Sequence, residues 1–239
     1  MVLLMQKELV TDIKEIIQRT PGVKSFRLNN KEGIDFKAGQ FLSISIGEGK
    51  DFTRYLTISS SPNEKGYIEV TKKITDSEFS KKLNMLKKGD RVQIKYPFGN
   101  FTLEGQNEKK IAFLSGGIGV TPIRSMSKYA CDLKLNIDSV LIYGNRTTSD
   151  IVFKGDFDAI QKECRNFKVV YLLANPEDTW RGRSGHIDKR TIEEEIPDYK
   201  ERKFYICGPP LMVTGMKQIL SEELNLQNEH IITENFVGY

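Results

Sequence analysis

The sequence predicts two successive folding units, an all-β half followed by an α/β half. Two contrasts predict this. The first hundred or so residues alternate apolar and polar side chains in short runs, as in Phe41–Ile46, Gly66–Val70 and Arg91–Tyr96. Turn residues stand between these runs: Gly39, Gly47 and Gly49, Pro62-Asn63, Gly89-Asp90. Period-2 runs bounded by turns are half-buried antiparallel strands, a sandwich or a barrel. From residue 111 the rhythm changes, and compact apolar runs at Ile111–Leu114, Val140–Tyr143, Val169–Leu173 and Phe204–Cys207 alternate with helical segments. Apolar strands alternating with helices make a parallel sheet covered on both faces.

The elements follow in order. One helix near Glu78–Leu86 interrupts the first half and stops at the turn Lys87-Lys88-Gly89-Asp90. The polar stretch Gln106–Lys110 is the expected linker, which divides the chain into domains 1–106 and 107–239. Helices are expected over Pro122–Cys131, Asp156–Arg165, Asp188–Glu195 and Leu211–Leu224, and a strand at Ile231–Phe236 closes the chain. Ligands of open α/β sheets bind beyond the carboxyl ends of the strands.

Composition narrows the function classes. A chain of 239 residues is long enough for two domains. With 38% hydrophobic and 28% charged residues it is globular rather than disordered. The excess of 36 basic over 32 acidic side chains is too small and too dispersed for a nucleic-acid footprint. No apolar run reaches the ~20 residues of a membrane-spanning helix. The start, MVLLMQKELV, lacks a basic leader and a cleavage site, so it is not read as a signal peptide. Cys131, Cys164 and Cys207 are few, odd in number and far apart. No disulfide framework, zinc site or iron–sulfur cluster follows from them. The expectation is a cytoplasmic protein with reduced thiols and no metal.

Four segments carry chemistry. In Phe113–Met126 an apolar strand runs into Gly116, Gly117 and Gly119, and a helix opens near Pro122. Glycines let backbone approach a pyrophosphate, and free N–H groups at a helix start attract its charge. In Arg54–Pro62 a strand ends in a cation, four hydroxyl residues and a proline; arginine suits a phosphate. In Gly89–Leu103 glycines and Pro97 bend the chain between strands. In Phe204–Met212 a strand delivers Cys207 to its carboxyl end before Gly208-Pro209-Pro210. Taken singly, each of these is compatible with an ordinary turn.

Their order is specific. Arg54-x-x-Thr57, then Gly89-Asp-x-Val-x-Ile-x-x-Pro-x-Gly-x-Phe101, then Ser115-Gly-Gly-Ile-Gly-Val-Thr-Pro122, then Tyr143-Gly-Asn-Arg146, then Cys207-Gly-Pro-Pro210 resembles the ferredoxin–NADP reductase superfamily of flavoproteins. The resemblance spans the chain from Gly39 to Tyr239. It implies an N-terminal antiparallel β-barrel that binds flavin, FAD rather than FMN, and a parallel-sheet domain that binds NADPH or NADH. It places Arg54 at the flavin phosphates and Thr57 near the flavin N5. Leu56 stands where the family usually has a stacking tyrosine, and Tyr55 points to the opposite face of a regular strand. Ser80 matches a phosphate ligand at a helix start, although Ser77 also reads as a simple helix cap. Gly116, Gly117, Gly119, Thr121 and Pro122 match the pyrophosphate loop. Cys207, with Gly208 and Pro209, matches a position beside the nicotinamide, and its role there is positional. Glu234 and Tyr239 resemble family tails in which an acid and a terminal aromatic lie at the flavin.

The resemblance implies an enzyme in which the two cofactors perform the redox chemistry and the protein aligns them. The electrons then pass to a separate acceptor such as ferredoxin, flavodoxin or another redox partner. Alternatives are a free-flavin or quinone reductase and a non-enzymatic nucleotide-binding module. For the choice of dinucleotide, Ala174-Asn175 replaces the Ser-Arg pair of NADP-dependent relatives. Arg146 and Arg183 nevertheless match phosphate-binding arginines. The expectation is a joint bidentate clamp on a 2′-phosphate, with NADPH somewhat preferred.

Overall fold

A computed structural model describes residues 6–30, 33–47, 52–103 and 109–235. Tyr239 and residues 106–108 of the expected linker lie outside them. The chain divides into two compact units: Met1–Glu104 with Thr121–Tyr129, and Gly105–Val120 with Ala130–Tyr239.

In the first unit, strands β1 (Lys7–Thr20), β2 (Val23–Asn29), β3 (Phe41–Ser45), β4 (Thr53–Thr57), β5 (Tyr67–Lys73) and β6 (Arg91–Phe98) form one sheet in the order β4-β3-β6-β1-β2-β5. Every neighbouring pair is antiparallel. A bridge between Ile58 and Val70 joins the two edges and closes the sheet into a barrel. The alternation read from sequence is literal in β6, where Val92, Ile94 and Tyr96 are buried between exposed Arg91, Gln93 and Lys95. They meet Phe26, Leu28, Leu42 and Ile44 in the barrel core. Helix α1 (Glu78–Met85) starts where expected. Ser77 caps it by accepting from Ser80 N at 3.3 Å, and Phe79 and Leu83 pack into the core.

Two strands of this barrel were not foreseen. β1 carries irregularities between Ile13 and Glu15 and between Gln18 and Thr20. Each bulge resets which side chains face inward, so the long strand shows no sustained period of two. Its partner β2 pairs with that irregular half.

The second unit holds β7 (Lys110–Gly116), β8 (Asp138–Asn145), β9 (Phe167–Leu173), β10 (Arg183–Ser184), β11 (Lys203–Gly208) and β12 (Ile231–Asn235). They form an all-parallel sheet in the order β10-β9-β8-β7-β11-β12. Helices α2 (Thr121–Asp132), α3 (Lys154–Glu163), α4 (Lys189–Glu195) and α5 (Pro210–Gln218) lie between strands in the chain, residues Thr121–Tyr129 of α2 belonging to the first unit, and a π-helical turn at Ile219–Glu223 extends α5. On one face Ala112, Leu114, Val140, Ile142, Phe204 and Ile206 pack against Ile192 of α4 and Val213 and Met216 of α5. The chain moves outward from β7 to β10, then returns to the other side of β7 for β11. The strand order therefore reverses between β7 and β11.

The cysteine reading needs correction. Cys131 and Cys164 form a disulfide with Cα atoms 5.8 Å apart, inside the span such bonds allow. It ties the C-terminal ends of α2 and α3. The partners are 33 residues apart in sequence and meet only because both crossover helices end at the same edge of the sheet. Cys207 is a free, buried thiol. Among the described residues no helix is long and apolar enough to cross a membrane, and no three His, Cys, Asp or Glu side chains cluster as a metal site.

Candidate active site

The point where strand order reverses is where an open α/β sheet forms its ligand crevice. After β7 the chain makes a 3-10 turn, Gly117–Val120, before α2. Gly117 sits at φ +52°, left-handed backbone that favours glycine. Gly119 passes so close to β11 that a Cβ there would lie 2.5 Å from Cys207 O and 2.7 Å from Gly208 N. Ser115 Oγ donates to Cys207 O at 3.0 Å, and buried Tyr143 Oη donates to Gly117 O at 2.8 Å. The structure thus brings Gly116, Gly117 and Gly119 together with Cys207, Gly208 and Pro209. The turn leads straight into Thr121 and Pro122 of α2. Free N–H groups at such a turn suit a pyrophosphate.

Cys207 is fully buried, and burial, followed by the charge of Glu234, pushes its thiol well above the ordinary range. A protonated thiol is a poor nucleophile, in keeping with a positional role. Glu234 stands beside it, paired in register across β11 and β12. Burial raises the Glu234 carboxyl above its ordinary value of 4.5. A carboxyl whose folded-state pKa lies above its unfolded value favours folding only while protonated, so it weakens the fold as pH rises through that pKa. Glu234→Gln therefore raises Tm at neutral pH, and the gap closes as pH falls below 4.5. Thermal melts across that range check this; a gap independent of pH would contradict it.

Arg146 and Arg183 do not converge. Arg146 follows β8, is exposed, and its guanidinium makes no hydrogen bond or ion pair with a described residue. Arg183 donates through Nε to Glu195 and through Nη1 to Glu194 at 2.7 Å. Glu195 also holds Lys168 Nζ at 2.7 Å. Lys168 belongs to the start of β9, whereas Arg183 pairs with Leu172 near its end. The Arg183 side chain is therefore turned back along the sheet, away from the carboxyl edge, and tied to α4. The expected joint clamp is not assembled.

In the barrel, Leu56 is part of the core while Tyr55 is 64% exposed, so the two face opposite sides as expected. Tyr55 meets Phe41 and Phe98 edge-on, with ring centroids 5.6 and 5.4 Å apart. Thr57 is buried and lies opposite Phe41 in register. Arg54 donates to Thr53 O at 2.8 Å and lies 5.4 Å over the Phe79 ring. Ser80 Oγ is buried and hydrogen-bonded with Thr75 Oγ1 at 3.0 Å, and Ser77 performs the helix cap.

Sequence reasoning missed Lys72. It is 8% exposed, and burial, then the nearby charges of Arg54 and Lys73, lower its pKa. Arg54 and Lys72 are both cations, the chemistry that a flavin phosphate requires. The aromatic group Phe41, Tyr55 and Phe98 adds ring surface on the Thr57 side of β4, and its members sit too far apart in sequence to announce themselves.

Comparison with known proteins finds two families along the chain. Residues 9–103 match the oxidoreductase FAD-binding domain family, and residues 113–218 match the oxidoreductase NAD-binding domain family. NADH-cytochrome b5 reductase 1 of Dictyostelium discoideum is 31% identical over 228 residues, 92% of this chain and 78% of that protein. The plasma membrane-associated coenzyme Q6 reductase PGA3 of Saccharomyces cerevisiae is 31% identical over 199 residues, 81% of this chain. The chain spans 64% of that yeast protein and 62% of a matching glycine betaine monooxygenase reductase subunit of Chromohalobacter salexigens. The cytochrome b5 reductase domain of Ulva prolifera nitrate reductase superposes with a TM-score of 0.84 at 22% identity, covering 95% of this chain and 97% of that one. The likeness supports an enzyme over a bare nucleotide-binding module.

Proposed function

The chain belongs to the ferredoxin–NADP reductase superfamily of FAD- and NAD(P)-binding oxidoreductases, and from that premise we propose that it takes hydride from NADH and delivers electrons to a separate redox protein. Bound FAD supplies the hydride-accepting chemistry. Arg54 and Lys72 would hold the flavin phosphates, and Thr57 would offer a hydroxyl to the flavin ring. The Gly116–Gly119 turn holds the dinucleotide diphosphate. Cys207 and Glu234 line the nicotinamide end, where the thiol fills space and stays protonated. The reading is carried by the close backbone approach of Gly119 to Cys207 and Gly208 at the strand-order reversal.

NADH is favoured over NADPH because Arg183 is neutralised by Glu194 and Glu195 and so does not join Arg146. Comparing kcat/KM for the two dinucleotides tests this; a parent enzyme that prefers NADPH would contradict it.

A one-electron protein acceptor, such as a cytochrome, a ferredoxin, a flavodoxin or an oxygenase component, fits relatives named as cytochrome b5 reductases and monooxygenase reductase subunits. A quinone is the second reading, motivated by the relative named as a coenzyme Q6 reductase. Reoxidation of the reduced enzyme by cytochrome b5, ferredoxin, flavodoxin and a soluble quinone separates them. Faster turnover with the quinone than with any protein would overturn the first reading. Arg54→Ala should weaken flavin retention by about 1.5–3 kcal/mol, the worth of a charge-assisted hydrogen bond. Acid-released flavin measured after dialysis checks it, and full retention would remove Arg54 from the phosphate site.

A further inference from the structure

Asn145 ends β8 at the carboxyl edge of the sheet and is 9% exposed. Neither Oδ1 nor Nδ2 of its carboxamide has a hydrogen-bond partner among the described residues. Tyr143, two residues earlier on the same side of β8, donates its Oη proton to Gly117 O and does not reach hydrogen-bond geometry with either amide atom. The Asn145 backbone carbonyl is satisfied by Ala174 N at 2.9 Å, so only the side chain is left over. A buried polar group without a partner is destabilising, and native proteins keep few of them without a reason such as a ligand.

The register shows what this amide faces. Gly144 pairs with Gly116, and Asn145 pairs with Leu173. The carboxamide therefore stands between the Gly116–Gly119 turn and the end of β9. It is on the β8 side of the turn, whereas Cys207 on β11 is on the other side. Arg146, the next residue, is the exposed cation described above. A carboxamide offers one donor group and one acceptor, which matches a diphosphate oxygen next to a sugar hydroxyl.

We propose that Asn145 binds the adenosine half of the dinucleotide, Nδ2 donating to a diphosphate oxygen and Oδ1 accepting from a ribose hydroxyl. This rests on the reading of the Gly116–Gly119 turn as the diphosphate site and of Cys207 as marking the nicotinamide end. The side chain is then paired only in the complex, so its contributions to folding and to binding have opposite signs.

The test uses the full flavin-loaded chain and its Asn145→Ala and Asn145→Asp variants. Calorimetry measures binding of ADP-ribose and of nicotinamide mononucleotide, and thermal melts without nucleotide measure stability. Asn145→Ala is expected to weaken ADP-ribose roughly tenfold, the order expected for a hydrogen bond to a charged group. It should leave nicotinamide mononucleotide binding unchanged and Tm unchanged or higher. Asn145→Asp should weaken ADP-ribose further, because it sets a carboxylate against the diphosphate. Unchanged ADP-ribose affinity in Asn145→Ala overturns the proposal. So does a fall in Tm with equal weakening of both ligands, which marks a structural role. Failure of the parent to bind ADP-ribose overturns the reading of the turn and the proposal with it.

Discussion

Gly119→Ala is expected to lower kcat/KM for NADH on the order of 100-fold, the scale of loss when reacting groups are misplaced by roughly 1 Å. The added Cβ would meet Cys207 O at 2.5 Å and Gly208 N at 2.7 Å, where ordinary contacts begin near 3.4 Å. Both atoms are backbone, so no side-chain rotation relieves the clash. Either the turn after β7 or the end of β11 must move, and both belong to the proposed dinucleotide site. These contacts are internal to the second unit, so flavin content should stay at the parent level. Steady-state kinetics with flavin quantified on the same sample checks this. Parent-like kcat/KM would show that the close approach does not matter to binding.

Arg124→Met is expected to destabilise the first unit by about 3–5 kcal/mol, the usual penalty for leaving one partner of a buried ion pair alone. Arg124 is 4% exposed. It donates to both carboxylate oxygens of Glu64, through Nη2 at 2.9 Å, and to Ser59 O at 3.2 Å. Beside it, Ser125 Oγ donates to Ser60 O at 2.7 Å. These bonds anchor the first turns of α2 to the segment that follows Thr57. Burial alone would raise the Glu64 carboxyl, but Arg124 outweighs it and holds the group below its ordinary value. A carboxyl depressed on folding stabilises the native state above its unfolded pKa and loses that stabilisation as pH falls through the folded value. The parent should therefore lose stability on acidification below 4.5, the ordinary value, and Arg124→Met should lose much less. Urea unfolding followed across that range checks both statements, and equal acid sensitivity of parent and variant would contradict the second.

What the sequence disclosed follows from how local each signal was. The strands β7, β8, β9 and β11 were legible because each is a compact apolar run, as buried parallel strands must be. Helix α1 was legible from its cap and the Gly89 turn. The glycines after β7 suggested backbone open to a pyrophosphate, whereas the close approach of Gly119 to Cys207 and Gly208 is visible only in the structure. β1 was hidden because its bulges break the alternation. The Cys131–Cys164 pair was hidden because it depends on where two crossover helices end. Arg183 read as a ligand because it matches a phosphate-binding arginine of related reductases; the carboxylates that engage it lie eleven and twelve residues later, on α4. Lys72 and Asn145 were missed for a related reason. Their significance lies in being buried polar side chains near strand ends, and such burial leaves no periodic trace.

The central claim is that one chain holds a flavin and reduces it with a nicotinamide dinucleotide. The most direct measurement mixes the purified, FAD-reconstituted protein with NADH under anaerobic conditions in a stopped-flow spectrometer. The account predicts stoichiometric FAD and rapid bleaching of its visible absorbance, with the rate saturating in NADH. Protein that retains no flavin after reconstitution, or bound flavin that neither NADH nor NADPH reduces, would contradict it.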